Sequence, residues 1–172
     1  RVVAVIGASE REGSVASTVI RNLIAEHSEQ RVYGVNPKYE AVHGIPCYPS
    51  VSQLPETADL AVIAVPARAV PETVRQCGEH GILGLVVLSA GFGELGKEGQ
   101  DLEQRTRQEV GRFDGMRVVG PNCLGIIAPR IGLNASFAAT MPRDGRVAFV
   151  SQSGALCTAV LDWAQAEGCL LY

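Results

Sequence analysis

The sequence predicts an α/β fold, a doubly wound parallel sheet with helices on both faces, and three observations support this. Short runs of apolar and β-branched residues recur every ~30 residues, about the length of one βα unit. The runs are apolar throughout instead of alternating, as expected for parallel strands that are buried on both faces. Amphipathic helical patterns fill most of the intervals. The predicted strands are Val2–Ile6, Val32–Val35, Leu60–Val65, Leu85–Leu88, Arg117–Val119 and Val147–Val150.

Three helices are predicted between the strands of this sheet. The first covers residues 14–27, with Ser14 as its N-cap and one continuous apolar face. The second covers residues 70–80 and stops before Gly81, because glycine suits the left-handed position that follows a helix. The third covers residues 97–113, where a thin apolar stripe among many charges indicates a solvated outer face.

Residues 121–145 show no sustained apolar period, and a structureless stretch of this length is typical of a functional loop or a linker. Just beyond it, RVAFVSQSGALCTAVLDWAQAEG predicts a new strand, turn and helix. We therefore predict a doubly wound domain over residues 1–130, a linker over 131–145, and the first βα unit of a second domain over 146–172. Because the chain begins and ends within predicted strands, we expect it to be part of a longer protein.

Composition limits the classes of function. The chain is 47% hydrophobic and 19% charged with a net charge of −3, which is ordinary for a globular protein. No basic surplus indicates a nucleic-acid partner, and no apolar run approaches the roughly 20 residues that cross a bilayer. The five cysteines lack metal-binding spacings, and their odd number argues against a disulfide framework. We expect a cytoplasmic protein without a metal site, a membrane partner or a nucleic-acid partner.

The segment VIGASEREGSVAS, residues 5–17, places a glycine-rich turn between a strand and a helix. A dinucleotide fingerprint has glycines at the first, third and sixth positions of such a turn. Here those positions hold Gly7, Ser9 and Glu12, and the later glycine is Gly13. A tight turn at Gly7 is retained, and the N–H groups after Gly13 lie at the positive end of a helix. The segment therefore predicts an anion site, with Glu12 pointing to solvent.

The end of the second strand bears on the choice of ligand. Proteins that bind NAD place an acidic residue there to hold the ribose hydroxyls. In YGVNPKYE that position is Asn36, and Lys38 follows two residues later, which favours a phosphate over a ribose diol. Taken alone, the segment is better explained as an Asn-Pro turn. Combined with the first loop, it favours a phosphate ligand.

Small residues follow three further predicted strands, and they would let a long ligand lie against the backbone. In a doubly wound sheet ligands bind at the carboxyl ends of the strands. The alternative for each loop is the ordinary glycine and proline content of α/β connections. The segments are Val65-Pro66-Ala67, Ser89-Ala90-Gly91-Phe92-Gly93 and Gly120-Pro121-Asn122-Cys123.

A second turn, Ser151-Gln152-Ser153-Gly154, lies between the last predicted strand and a helix that starts near Ala155. Free N–H groups at that helix start would form another anion site. A simple serine N-cap explains the same residues equally well.

These motifs together resemble a known family. The segments GAS…GSVA, VYGVNPKYEAVHGIPCYPSV, DLAVIAVPA, LSAGFGELGKEG, VVGPNCLGII and VSQSGAL look like the CoA-binding half of the NDP-forming acyl-CoA synthetases. Relatives of that family include the succinyl-CoA ligase alpha subunit and certain bacterial protein acetyltransferases. The likeness covers nearly the whole chain in the right order. It implies a Rossmann-like CoA-binding domain followed by the start of a flavodoxin-like domain.

The resemblance also implies roles for individual residues. Ser9, Gly13 and Ser14 would contact the pyrophosphate or adenosine of CoA, and Lys38 would contact one of its phosphates. Val65 and Pro66 would flank the adenine. Ser89, Ala90 and Gly91 would contact the pantetheine arm, and Asn122 would lie near the thiol end. Ser153 and Gly154 would help to hold a phosphorylated histidine during phosphoryl transfer.

The phosphohistidine itself is expected beyond Tyr172. His27 and His80 lie at predicted helix ends and His43 lies in a loop, so we interpret all three as structural or exposed. No Ser–His–Asp set is readable from the spacing. Trp163, on the last helix, is expected in the core.

Three functional hypotheses follow. The first is the CoA-binding part of an ADP-forming acid–CoA ligase, not catalytic alone, whose whole enzyme uses CoA, a carboxylic acid, ATP or ADP and Mg²⁺. That enzyme is expected to include an ATP-grasp domain or subunit and to be an oligomer. The second is a regulatory sensor of CoA or acetyl-CoA in a protein lysine acetyltransferase. The third, an NAD(P)-binding redox domain, is disfavoured by the absent strand-two acid and the irregular glycine spacing.

Overall fold

The computed structural model describes residues 1–25 and 30–168. The strands are β1 Val2–Ile6, β2 Arg31–Val35, β3 Ala41–Val42, β4 Ile45–Tyr48, β5 Leu60–Ile63, β6 Gly84–Val87, β7 Arg117–Val119, β8 Gly125–Ala128, β9 Leu133–Ser136 and β10 Asp144–Val147. The helices are α1 Val15–Leu23, α2 Val70–Glu79, α3 Lys97–Val110 and α4 Gly154–Ala166. A seven-stranded sheet has the order β3-β4-β2-β1-β5-β6-β7, and its strands are parallel apart from β3. The predicted fold class is confirmed.

The first five predicted strands lie where the apolar runs placed them, as β1, β2, β5, β6 and β7, with ends shifted by no more than two residues. Alternate residues of each strand enter opposite cores. In β1, Val2 and Ile6 pack in the core under α2 and α3, whereas Val3 and Val5 pack in the core under α1. Both faces of the sheet are therefore covered, which is why the runs are apolar throughout.

The three helices of this sheet also follow their predicted patterns. Ser14 caps α1 by accepting a hydrogen bond from the Ser17 N–H, and Gly81 takes the left-handed conformation after α2, with φ +77°. α1 ends at Leu23, earlier than the apolar pattern indicated. The predicted end of that helix, which includes His27, lies outside the described residues. Within the described parts of the chain, no helix has the length and apolar character that crossing a membrane requires.

A short hairpin, β3–β4, was not predicted. Val42 pairs with Ile45 across a turn whose two central residues, His43 and Gly44, have φ values of +49° and +81°. Two positive φ values are typical of the type I′ turns that join strands tightly. Pro46 interrupts the apolar run, which explains why the pattern indicated a loop. β4 extends the parallel sheet beyond β2, so the hairpin is anchored beside the carboxyl end of β2.

The interpretation of residues 121–145 as structureless was wrong. Strands β8 and β9 form an antiparallel pair, and all four residues of β9 are buried against α1 and the sheet. The Asn22 side-chain N–H groups of α1 donate to the carbonyl oxygens of Ser136 and Ala138, both at 2.9 Å. The mixed sequence LNAS hides this strand, because its polar side chains are satisfied internally: the Ser136 hydroxyl donates to Asn134 at 2.6 Å.

The last predicted strand was misplaced. The strand there is β10, residues 144–147, and residues 148–150 have no strand structure. The apolar side chains of this part of the chain are exposed: Val150 is 95% exposed and Trp163 57%, so the expectation of a buried tryptophan was wrong. α4 begins after Ser153, as predicted. The domain boundaries at residues 130 and 146 stay a prediction.

Candidate functional site

The strand order creates a crevice at one edge of the sheet. From β1 the chain crosses to β2 on one side, whereas β5 lies on the other. The loops after β1 and β5 therefore start side by side and then lead to helices on opposite faces of the sheet. Gly7 lies at the base of the crevice with φ +92°, and a Cβ there would be 2.6 Å from the Ala64 carbonyl oxygen. Only glycine fits this position. Ligands of doubly wound sheets bind at such a switch point.

The β1–α1 loop, residues 7–14, is shaped by its own polar groups. The Gly7 and Ala8 N–H groups donate to the Val35 carbonyl oxygen at 2.9 and 3.3 Å. The Ser9 hydroxyl accepts from the Arg11 N–H at 3.1 Å. Gly13 has φ +73° and open space around the position of a Cβ.

Helix α1 has backbone N–H groups without a helical acceptor at its start. Ser14 caps only the Ser17 N–H, at 3.2 Å. By helix geometry the N–H groups of Val15 and Ala16 have no acceptor within α1. The positive end of the helix therefore lies just after the β1–α1 loop, and an anion site there stays a prediction.

The end of β2 is tied to this loop by Asn36. Its side-chain N–H donates to the Ala8 carbonyl oxygen at 2.7 Å, and its side-chain oxygen accepts from the Lys38 N–H at 3.0 Å. Asn36 is thus a loop-shaping residue, and it cannot replace the acid that holds a ribose diol. Lys38 is exposed, and none of the ion pairs found within residues 1–25 and 30–168 includes it. Both sequence interpretations hold geometrically: the turn exists, and it presents an ammonium group.

The ends of β5 and β6 are joined by Ser89. Its buried hydroxyl donates to the Val65 carbonyl oxygen at 2.6 Å, so its proton is engaged inside the protein. Ala90, directly after it, is exposed, whereas Pro66 starts the short turn before α2. Gly91 has φ +107° and its N–H donates to the Glu94 carboxylate at 2.6 Å. This N–H is the main reason that the pKa of Glu94 lies below its ordinary value.

Beyond β7 the chain enters a cleft of about 500 Å³. Asn122 has φ +53°, and its N–H donates to the Ser89 carbonyl oxygen at 3.0 Å, which fastens the β7 end to the β6 end. Burial raises the pKa of the Cys123 thiol, whose Sγ donates to the Val87 carbonyl oxygen at 3.3 Å. The lining groups are residues 92–94, Glu103, residues 119–125, Ser151, Gln152, Gly154 and Cys157.

The turn before α4 also lines this cleft. Ser153 accepts a hydrogen bond from the Leu156 N–H at 3.3 Å, so it is an N-cap. Gly154, the first residue of the helix, lines the cleft together with Asn122. The cap and an anion site are compatible, because a cap satisfies only one of the free N–H groups at a helix start.

The structure thus brings the predicted residues to one rim. Hydrogen bonds join each strand end to the next in the order β2, β1, β5, β6 and β7. They run from Asn36 to Ala8, from Ala64 to Ile6, from Ser89 to Val65 and from Asn122 to Ser89. The rim ends at the cleft that includes Gly154. Within the described residues, no cluster of three or more His, Cys, Asp or Glu side chains could hold a metal ion.

One pair of polar residues at this rim was missed. His43 Nε2 lies 2.7 Å from Ser17 Oγ, and the His43 N–H donates to the Glu10 carboxylate at 3.2 Å. Ser17 is only 2% exposed, so it cannot act as a nucleophile on a bound substrate. In the sequence, the only local indication of this contact is the His43-Gly44 pair, which forms the hairpin turn that was not predicted.

The sheet order and the backbone-lined rim define a Rossmann-type domain that can hold a phosphorylated ligand. A family model described as a CoA binding domain matches residues 1–129, and the chain belongs to this family.

The chain is 50% identical over 168 residues to an ADP-forming acetate–CoA ligase I of Archaeoglobus fulgidus, covering 98% of this chain and 24% of that protein. It is 45% identical over 156 residues to the alpha subunit of an ADP-forming acetate–CoA ligase II of Pyrococcus furiosus, covering 91% of this chain and 34% of that subunit. Among solved structures, a dinucleotide forming acetyl-coenzyme A synthetase 1 of Ca. Korarchaeum cryptofilum, in complex with phosphate and ADP, has a TM-score of 0.90. That protein is 37% identical, and the match covers 99% of this chain and 36% of that one.

The chain therefore spans a quarter to about a third of the length of these curated relatives. It is a CoA-binding segment homologous to part of the ADP-forming acetate–CoA ligases, which confirms the family resemblance seen in the motifs. These findings give no support to the acetyltransferase or redox hypotheses.

Proposed function

We propose that this chain binds CoA along the rim and serves as the CoA-binding part of an ADP-forming acid–CoA ligase. The observation that carries the proposal is the continuous rim, since hydrogen bonds link five strand ends, those of β2, β1, β5, β6 and β7, into one backbone-lined path that leads from a helix N-terminus to a cleft. A long ligand with phosphates at one end and a thiol at the other matches such a path.

The residues at the first part of the rim fit the phosphates of CoA. The start of α1 supplies free N–H groups and a positive dipole. Ser9, Gly13 and Ser14 would line the pyrophosphate or adenosine, and the open space at Gly13 allows close approach. The exposed ammonium of Lys38 would meet a further phosphate. The negative charge of Glu10 would repel a phosphate, but its carboxylate accepts a hydrogen bond from the main-chain N–H of His43.

The second part of the rim would receive the rest of the coenzyme. Val65 and Pro66 would flank the adenine. Because the Ser89 proton is engaged with Val65, the pantetheine arm would contact chiefly Ala90 and Gly91, and Ser89 only as an acceptor. Asn122 would lie near the thiol, at the mouth of the cleft.

In the whole enzyme, inorganic phosphate would attack the thioester of acyl-CoA to give an acyl phosphate and free CoA. The acyl phosphate would transfer its phosphoryl group to a histidine outside this chain, which releases the carboxylic acid, and the phosphohistidine would then transfer that group to ADP to give ATP. The reverse sequence would use ATP, the acid and CoA to form acyl-CoA, ADP and phosphate. Ser153 and Gly154 would hold the phosphorylated group at the start of α4. The nucleotide and Mg²⁺ would bind to an ATP-grasp domain or subunit, and the assembled enzyme would be an oligomer.

The exposed apolar side chains near the carboxyl end support a second domain. Val147, Val150 and Trp163 lie on the surface of the described part of the chain, where burial would be favourable. Residues 146–172 would be the first unit of this domain, and further strands and helices of a flavodoxin-like fold would cover these side chains.

Isothermal titration with CoA, 3′-dephospho-CoA and NAD tests the proposal. If Lys38 binds the 3′-phosphate, dephospho-CoA should bind more weakly by about 1.5–3 kcal/mol, roughly 10- to 150-fold in Kd. Lys38→Met should remove most of this difference. Arg1→Met also removes an exposed cation, but Arg1 directly precedes the amino end of β1, at the edge of the sheet opposite the rim; this variant is the control and should retain the difference. Tighter binding of NAD than of CoA would contradict the proposal.

A further inference from the structure

We propose that His43 is a positioning residue that holds the β1–α1 loop in its ligand-binding shape. The inference rests on the proposed binding of CoA and adds to it a residue from outside the loop. His43 contacts the loop and the helix that follows it. Its main-chain N–H donates to Glu10, within the loop, at 3.2 Å, and its imidazole lies 2.7 Å from the hydroxyl of Ser17, in the first turn of α1. These partners are 33 and 26 residues away in the chain.

The hairpin that carries His43 is a firm support. Val42 is fully buried and pairs with Ile45, and β4 continues into the parallel sheet through the pairs Gly34–Cys47 and Val35–Tyr48. A hydrogen bond from the Cys47 N–H to the Glu40 carbonyl oxygen, at 2.8 Å, closes the base of the hairpin. The imidazole is therefore held by the sheet, while the loop that it contacts has no strand of its own.

His43 also adopts a conformation that non-glycine residues rarely take. Its φ is +49°, and a histidine in the left-handed region is less favourable than glycine would be. Such outliers persist where surrounding contacts determine them, and they cluster at functional sites. Here the outlier lies beside the predicted phosphate site.

The contact between His43 and Ser17 fixes the helix turn that carries the N–H donors of the predicted phosphate site. Ser17 is buried on the first turn of α1, and its own N–H is capped by Ser14. Fixing the Ser17 side chain therefore fixes the turn that presents the free N–H groups of Val15 and Ala16. Within the loop, the hydrogen bond from the His43 main-chain N–H holds the negative charge of Glu10 at the hairpin, away from a bound phosphate.

The variants separate the imidazole from the backbone. His43→Asn retains tolerance of positive φ, but its side chain is too short to reach Ser17, and Ser17→Ala removes the partner. Each should raise the Kd for CoA about fivefold, the scale of one hydrogen bond. The double variant should lose no more affinity for CoA than the single variant that binds CoA more weakly, because both substitutions remove the same interaction. His43→Gln, which restores a longer polar side chain, should bind within about twofold of wild type. His80→Asn, at the end of α2 and the opposite edge of the sheet, should leave the Kd unchanged.

Hydrogen exchange on the ligand-free chain gives an independent measurement. Amides of residues 9–17 should exchange faster in His43→Asn and Ser17→Ala than in wild type, with the thermal midpoint of unfolding little changed. If wild type fails to bind CoA, the proposed function is wrong, and the exchange result still decides the role of His43. Unchanged exchange, an unchanged Kd in both variants, or fully additive losses would overturn the proposal.

Discussion

Replacing Gly7 with alanine would place a methyl group at the base of the crevice, where the loops after β1 and β5 meet. The added Cβ would lie 2.6 Å from the Ala64 carbonyl oxygen and 2.9 Å from its carbon. Both are backbone atoms of a chain segment that is hydrogen-bonded to β1, since the Ala64 N–H donates to Ile6 at 2.8 Å. They cannot move away as the end of a flexible side chain would.

Two costs follow from this geometry. Alanine at φ +92° costs roughly 1–2 kcal/mol because of its left-handed backbone. The steric overlap adds about 1–3 kcal/mol, the usual range for inserting a methyl group into a packed site. Gly7→Ala should therefore lower the free energy of unfolding by about 2–5 kcal/mol, a large part of the stability of a single domain.

Gly13→Ala is the matched control. Gly13 lies in the same loop with φ +73°, but nothing lies within 4 Å of its added Cβ. It incurs the backbone cost alone, and any gain from a stiffer unfolded chain is the same in both variants. Urea unfolding of the two variants isolates the steric term as a difference of about 1–3 kcal/mol. Equal destabilisation of the two variants would refute the close approach of the loops.

Two further predictions concern parts of the structure that support the rim. Asn22→Ala removes two hydrogen bonds to β9 and its continuation and should lower stability by about 1–3 kcal/mol, with faster hydrogen exchange in residues 133–138; unchanged exchange there would contradict the packing of β9 on α1. Glu94→Gln should be less stable than wild type at neutral pH, because the Gly91 N–H lowers the pKa of Glu94. A lowered folded-state pKa stabilises the fold above the ordinary value of about 4.5 and ceases to do so as the pH falls through the folded-state value. The difference between Glu94→Gln and wild type should therefore shrink in urea titrations below pH 4.5, and a difference that persists at low pH would show that the charge of Glu94 is not its source.

Much of the candidate site could be predicted because parallel strands align their carboxyl ends. Once the apolar runs are placed, residues directly after them must lie at one edge of the sheet. Gly7, Asn36, Ser89 and Asn122 were placed there on this basis alone. The hydrogen-bond partners of these residues could not be predicted from the sequence, because a side chain such as that of Ser89 or Asn36 can face either the ligand or a neighbouring carbonyl group. The structure shows that both side chains bind the protein itself.

The features that were missed all depend on pairing between distant segments. Strand β9 is polar in sequence, and it is buried only because Asn134 and Ser136 satisfy each other and Asn22 binds its end. The contact between His43 and Ser17 joins residues that no periodic pattern relates. The last predicted strand was misplaced for the opposite reason. Its apolar run before α4 is typical of a strand, but an apolar run does not determine which residues pair with a neighbouring strand, and the strand observed there is residues 144–147.

The sequence by itself determined five of the seven strands of the main sheet, the helices that cover it and the loops that form its binding edge, because these follow from local periodicity, capping and glycine placement. Tertiary structure decided which side chains of that edge hold the loops together and which stay exposed to a ligand. The physical reason is that a polar side chain has several hydrogen-bond partners of similar free energy in the unfolded chain. Only the packed sheet, by bringing β2, β5 and the hairpin turn against the β1–α1 loop, selects one.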